Sequence, residues 1–226
     1  MNRRKVSAVL LDFDGTVAYT AEDVWESVEY GFRAAGLELP ASFRSDPRNL
    51  ASTVPNMVKL LYPDAPAAAA ETADRQCAVH YRTLNPFENT GLYPGMEMLL
   101  ETLKERGIPA ALLSNKAHPA LERLLKVKGW DRWFDSFSGS PERDAEVQDK
   151  EARLAELADR YGRENCVYCG DSPWDVRAAK RNGILSVGVT CGDGDPGLVR
   201  AEEPDLLAET PERLAALLLE MTEKND

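Results

Sequence analysis

The sequence predicts an α/β fold: a parallel β-sheet with helices packed over it, interrupted early by an inserted all-helical module. Three observations carry this expectation. Short apolar runs without polar alternation recur through most of the chain, as strands buried on both faces require. Segments with the apolar spacing of helices lie between them. Residues 18–91 break that rhythm, showing several helical patterns and no convincing strand.

The first apolar run, residues 5–13, has the length and β-branched content of a strand. Further runs follow at 108–113, 167–169 and 185–189, with a weaker one at 133–137. Met96, Leu99, Leu100 and Leu103 share a helix face, and Gly107 stands where a C-terminal cap belongs. A second helix should span about 117–128 and end at Gly129. Ser172, Pro173 and Asp175 read as N-cap, first position and N3 of another, with Lys180 and Arg181 in its last turn and Gly183 beyond. A terminal helix opens at Thr210-Pro211-Glu212 and carries Leu214, Leu217 and Leu218. Within the insertion, Thr20-Ala21-Glu22-Asp23 resembles a capping box, Trp25, Val28 and Phe32 share a face, and Gly36 closes that helix. Residues 1–17 and 92–226 are thus expected to form the core, and 18–91 the helical insertion.

Of 226 residues, 43% are hydrophobic and 29% charged, ordinary for a soluble globular protein. A net charge of −11 argues against nucleic-acid binding. No apolar run is long enough to span a membrane, and the basic start at Arg3-Arg4-Lys5 leads into a run too short for a signal peptide. Four scattered cysteines, Cys77, Cys166, Cys169 and Cys191, suit a reducing, cytoplasmic location. Cys166 and Cys169 have C-x-x-C spacing, but in a strand that offset puts them on opposite faces, and no second pair completes a zinc set. His80 and His118 are the only histidines.

Asp12 and Asp14 end the first strand, at the sheet edge where α/β folds bind ligands. While strand geometry persists, both side chains point to the same side. Two carboxylates about 4 Å apart repel by about 4 kcal/mol at an effective dielectric near 20, so the pair needs a cation, a shared proton or solvent. Gly15 lets the chain leave the strand abruptly. A second acidic group, Asp171 and Asp175, follows the strand at 167–169. Asp175 has a ready role in the helix cap; Asp171 has no such local job. Beside Asp12 it would make a hard-oxygen cluster suited to Mg²⁺. A third strand end supplies Ser114 and Asn115, possible donors to phosphate before a helix N-terminus.

Three motifs, Asp12-Phe13-Asp14-Gly15-Thr16, Ser114-Asn115-Lys116 and Gly170-Asp171-Ser172-Pro173-Trp174-Asp175, resemble the haloacid dehalogenase superfamily of phosphatases. Their order and spacing are similar to its phosphoglycolate phosphatase-like branch. Tyr93-Pro94-Gly95 before a helix and the tract 178–190 strengthen the likeness. The resemblance implies a Rossmann-like parallel sheet with helices on both faces and a helical cap that closes over the site. It implies Asp12 as nucleophile forming an aspartyl-phosphate, and Asp14 as the acid and then the base. Mg²⁺ would be held by the Asp12 carboxylate, the Asp14 backbone carbonyl and Asp171, with Asp175 supporting it indirectly. Ser114 and the Asn115 backbone amide would bind phosphoryl oxygens. The family's phosphate-neutralising lysine usually precedes a proline; here Lys150 precedes Glu151, with Arg143 as the fallback. The implied partner is a small phosphorylated metabolite, 2-phosphoglycolate being the nearest guess, handled by a cytoplasmic monomer or homodimer without nucleic acid or membrane. Pyrophosphate hydrolysis, phosphosugar mutase activity and a non-catalytic binding or regulatory role are the alternatives. Arg33, Arg44, Arg48 and Lys59 of the insertion could reach an anionic substrate, and the loop at 192–196 is read as following the last core strand.

Overall fold

The computed structural model describes residues 5–46, 49–50, 52–141 and 150–222. It divides into two compact units, Met1–Tyr19 with Gly91–Asp226, and Thr20–Thr90. The first strand, β1, covers Ala8–Leu11, and all four residues are fully buried. Burial on both faces explains an apolar run without alternation: each such side chain contributes about 1.5–3 kcal/mol. Two residues each form β2 (Ala18–Tyr19) and β3 (Gly91–Leu92), paired antiparallel at the ends of the insertion. Strands this short leave no periodic trace, so reading 18–91 as strand-free missed the first of them and Gly91.

Between them lie α1 (Ala21–Ala34), α2 (Ala41–Arg44), α3 (Val54–Leu61) and α4 (Ala67–Val79), with a π-helical turn at His80–Leu84. Trp25, Val28, Phe32, Val54, Met57, Val58 and Ala73 form the core of this unit. The expected capping box at Thr20 does not form: Thr20 makes no side-chain cap bond. Asp23 is instead wholly buried, accepting from the Thr90 hydroxyl at 2.5 Å and from the Asn89 amide groups. Long-range partners outbid the local one. His80 is paired too, with Ser27 Oγ 2.9 Å from its Nδ1 and Tyr30 stacked on the ring. Arg44 already meets Glu22 and Glu29, and Arg48 lies outside the described residues.

The chain then builds α5 (Met96–Glu105), β4 (Ala110–Ala117), α6 (His118–Lys128), β5 (Ser136–Ser140), α7 (Lys150–Asp159), β6 (Cys166–Gly170), α8 (Pro173–Arg181), β7 (Leu185–Val189), α9 (Pro196–Ala201), β8 (Leu206–Ala208) and α10 (Pro211–Met221). Six strands form one parallel sheet in the order β5-β4-β1-β6-β7-β8. Ala8, Leu10, Ala111, Leu113, Cys166 and Tyr168 face α7 and α8 through Leu154, Leu157, Ala178 and Ala179. The opposite pleat face, with Val9, Leu11, Leu112 and Val167, is equally buried, and α5 packs against α10. Cys166 and Cys169 are both buried, outside any disulfide.

Two sequence readings shift. The weak run at 133–137 forms its strand later, at Ser136–Ser140, because Asp131–Trp133 winds into a 3₁₀ turn. The loop at 192–196 does not follow the last strand: Asp195 caps α9, accepting from Gly197 and Leu198, and β8 comes after. β8 is a three-residue edge strand, too short to read from pattern. Among the described residues, no helix is long and apolar enough to cross a membrane.

Candidate active site

β1 lies between β4 and β6, in register as Leu11 with Leu112 and Leu11 with Cys169. The residues after these strand ends therefore converge. Asp12 follows β1 and its backbone N–H still donates to the Cys169 carbonyl at 2.8 Å. Asp171 follows β6, and Asp175 stands on the first turn of α8. All three are buried, and one oxygen from each lies within 4.8 Å of the others.

Asp175 uses both carboxylate oxygens. Oδ2 accepts from the Ser172 backbone N–H at 3.1 Å and hydroxyl at 2.6 Å, while Ser172 Oγ accepts from the Asp175 N–H, closing the capping box. Oδ1 accepts from Lys150 Nζ at 2.6 Å and from the Tyr168 hydroxyl at 2.9 Å. The cap contacts and the contacts to Lys150 and Tyr168 coexist in one side chain. Gly170 makes this possible, since a Cβ there would stand 2.3 Å from Asp175 Cγ.

Lys150 opens α7 and is only 9% exposed, so it is no solvated helix-start lysine. Its ammonium donates to Asp12 Oδ1 at 2.8 Å as well as to Asp175. Burial pulls its pKa down, but Asp12 and Asp175 together outweigh this and raise it, keeping it charged. Arg143 lies outside the described residues.

Asp171 takes no part in the α8 cap; its Oδ2 instead accepts from the Asp193 and Gly194 backbone N–H groups, remote in sequence, at 2.8 and 2.9 Å. Burial, with Asp175 nearby, still pushes its carboxyl up to about 7. Burial also raises Asp12 well above the usual carboxylate range; Lys150 opposes this, while Asp175 and Asp171 add to it. Fully ionised, the three carboxylates would outnumber the Lys150 ammonium by two charges, a repulsion that a bound cation would relieve. A hard divalent cation fits that donor set in ligand type and in charge. Gly15 brings the backbone against the cluster at φ +74°, and a Cβ there would sit 2.1 Å from Asp171 Oδ2. Gly15→Ala is therefore expected to cost about 1–3 kcal/mol in backbone strain alone and to weaken cation binding, measured by thermal melting with and without Mg²⁺.

The Asp14 carboxylate stands apart. Strand geometry ends at Leu11, so the same-side expectation for Asp12 and Asp14 lapses: the Phe13 carbonyl accepts from Val17 and Ala18 in a tight turn. Asp14 is partly exposed and pairs with Lys116 Nζ at 3.1 Å. Ser114 is buried at the far part of β4, its Oγ accepting from the Lys116 N–H at 3.0 Å, and Asn115 is exposed beside it. His118 is occupied elsewhere, stacked on Phe137 and accepting from the Gly139 N–H.

Sequence reasoning gave no role to Lys116, Arg153, Tyr168 or the amides of Asp193 and Gly194. Lys116 was within a recognised motif and was the one available signal. The others reach the site from neighbouring elements, which local pattern does not encode.

A family model described as haloacid dehalogenase-like hydrolase matches residues 6–183. The chain is 29% identical over 203 residues to a 5'-nucleotidase of Pseudomonas aeruginosa, covering 87% of this chain and 88% of that one. It is 27% identical over 226 residues to a phosphoglycolate phosphatase of Agrobacterium fabrum, covering 97% and 96%. In fold it is similar to a crystal structure described as a predicted phosphatase from Clostridium acetobutylicum, with a TM-score of 0.76 at 24% identity over 96% of this chain and 99% of that one.

Proposed function

From the premise that the chain belongs to the haloacid dehalogenase-like hydrolases and is a phosphatase, we propose that it hydrolyses a small phosphate monoester through a phosphorylated Asp12. The buried Asp12–Lys150–Asp175 cluster with Asp171 is the observation that carries this reading. Asp12, Asp171 and the Asp14 backbone carbonyl are the proposed ligands of Mg²⁺, with Asp175 supporting them indirectly. When bound, the cation supplies positive charge against the cluster and against the phosphoryl group.

An Asp12 oxygen attacks phosphorus as the bond to the leaving alcohol breaks. Protonated Asp14 gives its proton to that alcohol oxygen. As a carboxylate, Asp14 then takes a proton from water, whose oxygen attacks the phosphorus of the aspartyl-phosphate. Orthophosphate leaves and Asp12 is restored. Lys150, the Ser114 hydroxyl and the Asn115 backbone amide neutralise and hold the phosphoryl oxygens, because such transfer depends mainly on positioning and charge.

The related 5'-nucleotidase and phosphoglycolate phosphatase put nucleoside 5'-monophosphates and 2-phosphoglycolate on the substrate panel, to which sugar phosphates and pyrophosphate are added to separate the alternatives. Phosphate release with Mg²⁺ and its loss on chelation are the expected results. No release from any monoester would overturn the proposal, and release from pyrophosphate alone would favour the pyrophosphatase alternative.

A further inference from the structure

Arg153 lies one turn beyond Lys150 on α7, a spacing that puts both on one helix face. Both are buried. Lys150 addresses Asp12, whereas Arg153 addresses β4: Nη1 donates to the Ser114 carbonyl at 3.1 Å and Nη2 to Asn115 Oδ1 at 3.1 Å. A buried guanidinium needs partners, and two of those of Arg153 are neutral acceptors on consecutive residues, gripped by the two arms of its planar fork.

Its effect on hydrogen-bonding capacity is specific. An amide side chain offers one acceptor oxygen and one donor NH₂. With Oδ1 held by Arg153, the exposed Asn115 side chain keeps the NH₂ for a ligand. Ser114 is treated alike: its Oγ accepts from the Lys116 N–H, leaving its O–H to donate. Phosphoryl oxygens accept hydrogen bonds and repel other acceptors, so a receiving surface must present donors.

We infer that Arg153 is a positioning residue that fixes the Asn115 amide so that, beside the Ser114 hydroxyl, it presents a donor to the phosphoryl oxygens. The inference rests on the phosphatase reading of the same site and adds Asn115's side chain to the groups that bind phosphate. Arg153 acts through that pair and does not touch the substrate.

The test measures orthophosphate affinity by calorimetry with Mg²⁺ present, and KM and kcat on whichever monoester is hydrolysed. The proteins are wild type, Arg153→Met, Arg153→Lys, Asn115→Ala and the double variant Arg153→Met/Asn115→Ala. Arg153→Met is expected to weaken orthophosphate binding and raise KM about 10-fold, with kcat changed less. Arg153→Lys keeps the charge and most of the stem and so tests the point even where Arg153→Met disturbs folding; its ammonium lacks the planar fork, and the affinity stays low. In the Asn115→Ala background the Arg153 change adds under about twofold, because the shared partner is gone. Unchanged orthophosphate affinity in Arg153→Lys, or full additivity with Asn115→Ala, would overturn the inference while leaving the phosphatase reading intact. Wild-type protein that binds no orthophosphate would overturn both.

Discussion

Asp12→Asn is expected to lower phosphate release by about 10,000-fold or more while the protein stays folded. The amide keeps the volume of the carboxylate but cannot attack phosphorus. The fold should persist because burial and the neighbouring Asp175 and Asp171 already disfavour the Asp12 anion, only partly offset by Lys150. A neutral isostere relieves that repulsion in the cation-free protein. Lys150 keeps Asp175 as a partner at 2.6 Å. Thermal melting without Mg²⁺ should therefore be unchanged or slightly raised, while the stabilisation gained on adding Mg²⁺ shrinks with the loss of one carboxylate. Phosphate release and melting curves measured side by side distinguish a lost nucleophile from a lost fold.

Lys150→Met has the second large effect, and it should appear in stability as well as in rate. Methionine fills the stem's volume but leaves Asp12, Asp171 and Asp175 buried together with no ammonium. Breaking a buried ion pair by removing one partner costs about 3–5 kcal/mol, and here one lysine serves two carboxylates. The variant should melt well below wild type without a cation and recover part of the difference with Mg²⁺, which takes over the neutralisation. Turnover should fall about 100- to 1,000-fold, the scale for removing one group that stabilises transition-state charge. Melting with and without Mg²⁺, set against kcat, checks both halves. An unchanged melting curve without Mg²⁺ would contradict the electrostatic account of the cluster.

Legibility followed physical range. The four buried residues of β1 announced themselves because a strand covered on both faces has no polar positions. The start of α8 was legible because Ser172, Pro173 and Asp175 satisfy orphan N–H groups within one turn. Asp12 and Asp171 were legible as candidates because motif order placed them at strand ends, and Lys150 because the family resemblance asks for a lysine there, yet their meeting depends on the order β4-β1-β6, which no local pattern contains. The same limit hid Arg153, whose partners Ser114 and Asn115 stand on another strand, and Tyr168, whose hydroxyl also reaches the Leu113 carbonyl of β4. The local reading of Asp23 failed for a related reason. Its sequence neighbours suggest a cap, but Asn89 and Thr90, remote in sequence, claim the carboxylate. Asp14 shows the opposite error, since a strand period was extended past Leu11, where the turn through Phe13 carries its side chain toward Lys116.

Asp12 as the site of covalent phosphorylation is the central claim. Borohydride reduction during turnover, followed by peptide mass spectrometry, tests it most directly, because the reagent converts an acyl phosphate on aspartate to homoserine. With a hydrolysed monoester and Mg²⁺, homoserine is expected at position 12 and nowhere else, and absent when substrate is omitted. An unmodified Asp12 in protein that is releasing phosphate, or homoserine at position 14 or 171 instead, would contradict the account.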